Sequence, residues 1–139
     1  MSKYIVSSML LTLLLQGCAP TTAGGVRALG EKNSYSFVAP ENYQAVYRKV
    51  LRQERKCFET GLITAQMMVQ GDLYTDIKSG TISVSLQGGF GVDTYQVVDI
   101  SDINGKQSKI VAHYALWSTQ KFGKLLKEWV LENSEECGG

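Results

Sequence analysis

The sequence predicts an α+β fold in two layers: a helix, a four-stranded antiparallel meander and a second helix, with both helices on one face of the sheet. Three observations predict it. Apolar residues recur at helical spacing before residue 58 and again after residue 118. Between Met67 and Leu116 the period drops to two. Turn signals at Ser79 and Gly80, Gly88 and Gly89, and Asn104 and Gly105 cut that stretch into strands of similar length.

The first helix is expected to open at Pro40 and Glu41, where a missing N–H costs little and a carboxylate meets the positive end of the dipole. Tyr43, Val46, Tyr47, Val50 and Leu51 then form one apolar face, and the helix should stop near Cys57 or Phe58, before Gly61. In the sheet, Leu73, Thr75 and Ile77 alternate with Tyr74, Asp76 and Lys78, and Ile82, Val84 and Leu86 with Thr81, Ser83, Ser85 and Gln87. A third strand runs from Phe90 to about Ile100, where Tyr95, Val97 and Val98 break the alternation and predict a bulge or a partly covered second face. Asn104 and Gly105 fit a two-residue type I′ hairpin turn into a fourth strand, Ser108 to about Leu116. Ser118 then caps a last helix with Phe122, Leu125, Leu126 and Trp129 on one stripe. Its lysines come early (Lys121, Lys124, Lys127) and its glutamates late (Glu132, Glu135, Glu136), against the dipole, so a tertiary partner is expected to set that order.

The order of elements over roughly residues 40–137 resembles the helix-grip and related two-layer folds, including domains of lipoprotein subunits of the outer-membrane protein assembly machine. That likeness implies a fold and not an activity.

The chain has 139 residues, 44% of them hydrophobic and 19% charged, with 2 prolines, which suits one folded domain and excludes a two-domain enzyme or a disordered tail. Residues 1–17 carry Lys3 and then an apolar stretch from Ile5 to Leu15. At about 1.5 Å per residue that stretch spans roughly 16 Å, about half of a bilayer core, so it reads as a signal sequence and not as a membrane span. Leu15, Gln16, Gly17 and Cys18 follow it. This stretch resembles the lipobox of bacterial lipoproteins, with Gln16 where a small residue is commoner. The resemblance implies a thioether-linked diacylglycerol on Cys18, cleavage after Gly17 and an acylated amine. Ala19 in place of Asp implies sorting to the outer membrane, facing the periplasm. Residues 18–34, with Thr21, Thr22, Gly24 and Gly25, read as the lipidated cysteine and a flexible tether, and residues 35–139 as the domain. Loss of Lys3 evens 14 basic against 13 acidic residues, which leaves no electrostatic footprint for nucleic acid.

With Cys18 consumed by lipid, Cys57 and Cys137 remain, and because an exported chain usually pairs an even number, one disulfide between them is expected, with a bridge between two chains as the alternative. A catalytic cysteine would need a base, and His113 is the single histidine. That also excludes a multi-histidine zinc site, and on the fourth strand His113 is expected as a surface or edge residue. Asp102, Asn104 and Gly105 would be positions 3, 5 and 6 of a calcium loop whose positions 1 and 12 are Ile100 and Val111, so the pattern fails. Gly88, Gly89, Phe90 and Gly91 lack the following helix and Lys-Ser or Lys-Thr pair of a phosphate loop. Asp93, Asp99 and Asp102 supply carboxylates with no sign of convergence.

No catalytic residue, metal or cofactor is therefore expected. The expected function is a non-enzymatic, lipid-anchored periplasmic protein of the cell envelope that binds other envelope proteins. Arg48, Lys49, Arg52, Arg55 and Lys56 form a possible interaction surface. The alternative is a carrier or sensor of an apolar ligand held between helices and sheet, lined by Tyr47, Met67, Met68, Phe90 and Trp129.

Overall fold

A computed structural model of the chain describes residues 19–138. The leader, residues 1–17, and Cys18 lie outside the described residues. The class is α+β, but the sheet has six strands and the described chain three α-helices. In chain order these are α1 (Ala23–Arg27), β1 (Ser34–Ala39), α2 (Tyr43–Phe58), β2 (Thr60–Leu62), β3 (Ala65–Tyr74), β4 (Ser79–Gly88), β5 (Gly91–Asp102), β6 (Ser108–Tyr114) and α3 (Thr119–Leu131). Every pairing is antiparallel, in the order β1-β6-β5-β4-β3-β2.

The four-stranded expectation is corrected at both edges. β1 precedes α2 and pairs along its whole length with β6, Ser34 opposite His113 and Ala39 opposite Ser108. Helix α2 therefore crosses from one edge of the sheet to the other, where β2 pairs with the first three residues of β3. Two turns are also corrected. The β3–β4 turn lies at residues 75–78, with Lys78 at φ +52°, and Gly80 sits inside β4 because a Cβ there would come within 2.6 Å of the Tyr47 ring. Asn104 and Gly105 belong to a five-residue loop, not a two-residue turn: Asp102 pairs with Ser108, and the Asn104 and Asp102 carboxamide and carboxylate oxygens accept the loop N–H groups. The side-chain oxygens of Asn42 and Ser118 cap α2 and α3, so α2 opens three residues after Pro40.

Both long helices lie on one face. Tyr43, Val46, Tyr47 and Val50 of α2 and Leu125, Leu126, Trp129 and Val130 of α3 pack on Val69, Ile82, Val84, Val98, Ile100, Ile110, Ala112 and Tyr114 of the sheet. Each such aliphatic side chain contributes about 1.5–3 kcal/mol by leaving water. Cys57 and Cys137 are bonded, with Cα atoms 5.2 Å apart, tying the end of α2 to the chain after α3. The reversed charge order of α3 is answered from α2. Lys49 donates to the Val130 carbonyl at 3.0 Å, and Lys56 pairs with Glu135 at 3.0 Å.

The expected tether over residues 18–34 is corrected as well. Thr22 caps α1, which lies on the opposite face of the sheet, and Val26 is wholly buried against Val97 and Ala115. The broken alternation in β5 has both anticipated causes. A bulge between Thr94 and Gln96 turns Tyr95 toward Trp117, and α1 covers Val97.

Gly123 tests how closely α3 approaches β1. Alanine is the better helix former by about 1 kcal/mol, but a Cβ at 123 would overlap the Tyr35 ring. Overpacking of this kind costs about 1–3 kcal/mol. Gly123→Ala is expected to lower the urea unfolding midpoint despite its helix propensity; a raised midpoint would contradict the contact.

Candidate functional site

On the α1 face, Arg27 and Asp99 form a two-bond pair: Arg27 Nε donates to Oδ2 at 2.7 Å and Nη2 to Oδ1 at 2.6 Å. Thr81 Oγ1 donates to Oδ1 at 2.8 Å, and His113 Nε2 lies 3.7 Å from Oδ2. Partial burial would raise the Asp99 carboxyl, but the bonds from Arg27 and Thr81 hold it below the usual carboxylate range. Partial burial lowers the His113 imidazole, with Asp99 opposing and Arg27 reinforcing. Asp99 is thus engaged by Arg27 and Thr81 together, and the group works as a fastening for α1 rather than as an acid–base couple. Thr94 N–H donates to the Pro20 carbonyl at 2.8 Å, fastening the chain seven residues before Arg27.

Inside the helix-covered face lies a group the sequence reading missed. Glu54 of α2 is completely buried, and Oε1 accepts a hydrogen bond from Gln96 Nε2 while Oε2 has no partner. Tyr114 is buried beside it with its hydroxyl unpartnered. Burial pushes the Glu54 carboxyl up to about 8, with the Gln96 bond pulling the other way. Burial, then the Glu54 charge, pushes the Tyr114 phenol up. At neutral pH the acid is therefore mostly protonated. The signal was there: Glu54 stands four residues after Val50 and three before Cys57, on the apolar stripe of α2, but it reads as part of the charged run Arg52 to Lys56.

The predicted interaction surface does not form one open patch. Lys49 is held by Glu41 at 2.7 Å and by Val130, Arg55 by Glu59 at 3.6 Å, and Lys56 by Glu135. Arg48 and Arg52 are exposed and, among the described residues, make no ion pair. The three aspartates do not converge. Asp93, Asp99 and Asp102 are spread along β5 opposite Leu86, Thr81 and Ser108. The five residues proposed to line an apolar cavity are also divided: Tyr47, Met67 and Trp129 belong to the packed interior, whereas Met68 and Phe90 are exposed. Among the described residues no group of three or more His, Cys, Asp or Glu is placed to hold a metal ion.

Among the described residues the sheet is open along the outer edge of β1 and again on its β3 side. β3 pairs with β2 only from Ala65 to Met67, so from Met68 to Tyr74 its outer backbone edge has no neighbouring strand. The face beside that edge is a polar hollow walled by α1 and lined by Gln70, Asp72, Tyr74, Thr81, Ser83 and Ser85. At one end, the β2–β3 and β4–β5 loops raise Ile63 and Phe90 over an apolar groove with Ala65 and Leu86.

Glu54 gives the site a measurable pH dependence. An unfolded glutamate titrates near 4.5 and the folded one near 8, so the folded chain holds the proton more tightly. Stability from this group is full below about pH 4.5, falls as the pH rises toward 8 and is level above. Glu54→Gln keeps an acceptor for Gln96 and cannot ionise. Its urea midpoint is expected to lack the loss that Glu54 imposes on the parent as the pH rises from 5 to 8, so that the two profiles diverge, with a gap at pH 8 on the order of a few kcal/mol in stability. Parallel profiles would refute the assignment.

No family model matches the chain, and no curated protein matches it. A solved structure described as a conserved protein from Geobacillus kaustophilus is similar over 68% of this chain and 84% of its own, at 14% identity and a TM-score of 0.38, a likeness too slight to carry an argument.

Proposed function

We propose that the chain is a non-enzymatic lipoprotein of the cell envelope, acylated at Cys18, held at the periplasmic face of the outer membrane, and acting as a protein-interaction module. The observation that carries this reading is the bond between Cys57 and Cys137. Disulfides persist in oxidising compartments, and the two cysteines left after Cys18 are the two that meet. No described helix is long and apolar enough to cross a membrane, so attachment would rest on the lipid. Several acyl chains at about 0.8 kcal/mol per buried CH₂ far exceed the marginal hold of one myristoyl chain.

The interaction surface proposed here is the unpaired edge of β3 from Met68 to Tyr74, in place of the basic face of α2. An exposed edge presents backbone donors and acceptors in register, and an extended segment of an envelope protein would add to it as a further strand. The outward face next to it alternates Met68, Gln70, Asp72 and Tyr74, which gives such a segment side chains to read. Carriage of an apolar ligand gains no support, because Tyr47 and Trp129 are themselves core.

Two measurements test this. Mass analysis of the purified protein is expected to show a chain beginning at an acylated Cys18; recovery with Met1 present and no acyl mass would refute the anchor. Photo-reactive residues placed singly from position 68 to 74 are expected to crosslink one envelope protein with a two-residue period, and those at Arg48 and Arg52 are expected to give none. Crosslinks confined to α2, or to lipid, would refute the edge.

A further inference from the structure

Resting on the anchor at Cys18, we propose that the β2–β3 and β4–β5 loop end of the sheet enters the headgroup layer of the bilayer that holds the lipid, with Ile63 and Phe90 as the inserted side chains.

Three observations lead there. Ile63 and Phe90 are fully exposed and share one groove with Ala65 and Leu86. Lone exposed apolar residues are ordinary, so exposure alone decides nothing. The two segments that build this end are, however, without charge, residues 60–71 and 79–92 containing no Asp, Glu, Lys or Arg. Asp93 is the first charged residue after the second segment and the one charged residue among those lining the groove. An interfacial element needs this kind of surface, because a charge carried toward hydrocarbon is costly whereas Gly, Thr and Gln are tolerated at headgroup depth.

The third observation is the direction of the chain. Pro20 is bonded to Thr94 and Arg27 to Asp99, so α1 runs alongside β5 in the direction of rising residue number. Traced back toward its start, the chain heads for Gly91 and the loop end. Cys18 precedes Pro20 by two residues, at most about 7 Å of chain. Thr94 stands three residues above Gly91, roughly 10 Å along the strand. Lipid on Cys18 would thus emerge within a few residues' length of Phe90. The opposite end of the sheet also exposes apolar side chains, Ile77 and Ile103, but the chain start is fastened far from them.

The test uses the full acylated chain reconstituted into phosphatidylethanolamine–phosphatidylglycerol vesicles containing a brominated phospholipid, with tryptophan placed by Phe90→Trp or Ile77→Trp. Both positions are exposed loop residues, so folding is undisturbed, and Trp117 and Trp129 give the same background in each. The Phe90→Trp protein is expected to lose emission beyond the parent's loss, and Ile77→Trp is expected to lose none. Equal quenching at the two positions, or none at 90 in a protein whose mass shows the acyl groups, would overturn the insertion and leave the anchor standing. A tryptophan at 90 that is blue-shifted yet unquenched would mean a protein occupant and also overturn it. A chain lacking acyl mass at Cys18 would overturn anchor and insertion together.

Discussion

The two-bond pair between Arg27 and Asp99 is the constraint on which the rest depends, because it holds α1 and the residues just before it against the sheet. Its partners are 72 residues apart, and each is about a third exposed, so the charge attraction itself contributes only about 1 kcal/mol. The fastening is strong because other terms act with it. Val26 is fully buried against Val97 and Ala115, worth roughly 1.5–3 kcal/mol, and Pro20 is bonded to Thr94. A flexible tether over residues 18–34 would let its ends separate by about 20–25 Å on average. Docking leaves Ala19 alone between position 18 and the first fastened carbonyl, that of Pro20.

The same strand that receives α1 also builds the buried polar group, and the bulge in β5 makes both possible. Without the extra residue, Tyr95 and Gln96 would point to opposite faces. With it, Tyr95 meets Trp117 and Gln96 meets Glu54, both on the helix side, while Val97 stays beneath α1. The interior then contains a carboxyl with one oxygen unpartnered, which costs about 1–3 kcal/mol even when neutral. The disulfide acts on the other side of the balance. It closes a loop of 80 residues, for which loop-closure entropy gives roughly 4–5 kcal/mol. A domain so braced tolerates an interior group that a core of this size alone would hold with difficulty.

How much of this was legible in the sequence follows from how many residues each signal spans. Helices α2 and α3 carry long apolar stripes with caps, and the reversals after Gly88 and around Asn104 and Gly105 are marked by residue types with local reasons to be there, although the second is a five-residue loop. The pairing of Cys57 with Cys137 followed from counting. By contrast β1, β2 and α1 are six, three and five residues long, too short for periodicity to separate them from a loop; β1 and α1 are held by distant partners, β6 and β5, and β2 only by its hairpin neighbour β3. Tyr35, Phe37 and Ala39 do alternate inward, but nothing local says that β6 waits for them. The turn at 75–78 was misplaced because Ser79 and Gly80 look like a turn pair, whereas Gly80 is small to seat Tyr47. The β3 edge was invisible for a different reason, since an absent neighbour leaves no mark on the strand that lacks it.

The anchor, the loop end and the edge combine into one orientation. Strands β3, β4 and β5 all run between the Ile63–Phe90 end and the Ile77–Ile103 end. If the first end rests on a bilayer, the strands stand away from it, and ten residues of β3 rise about 33 Å. The residues that β2 covers are then those nearest the membrane, and the unpaired stretch from Met68 to Tyr74 begins about 10 Å above it. A strand added there would lie along the membrane normal, clear of the headgroups, within reach of a periplasmic segment but not of one confined to the bilayer surface. Rigid attachment at Pro20 matters for this. A domain swinging on a long leash would present the edge in every direction, whereas with the proposed lipid on Cys18, two residues before the fastened Pro20, it would present it in one. On the proposed anchor, the hydrogen bond at Pro20 and the ion pair at Arg27 would thereby set the geometry offered to a partner.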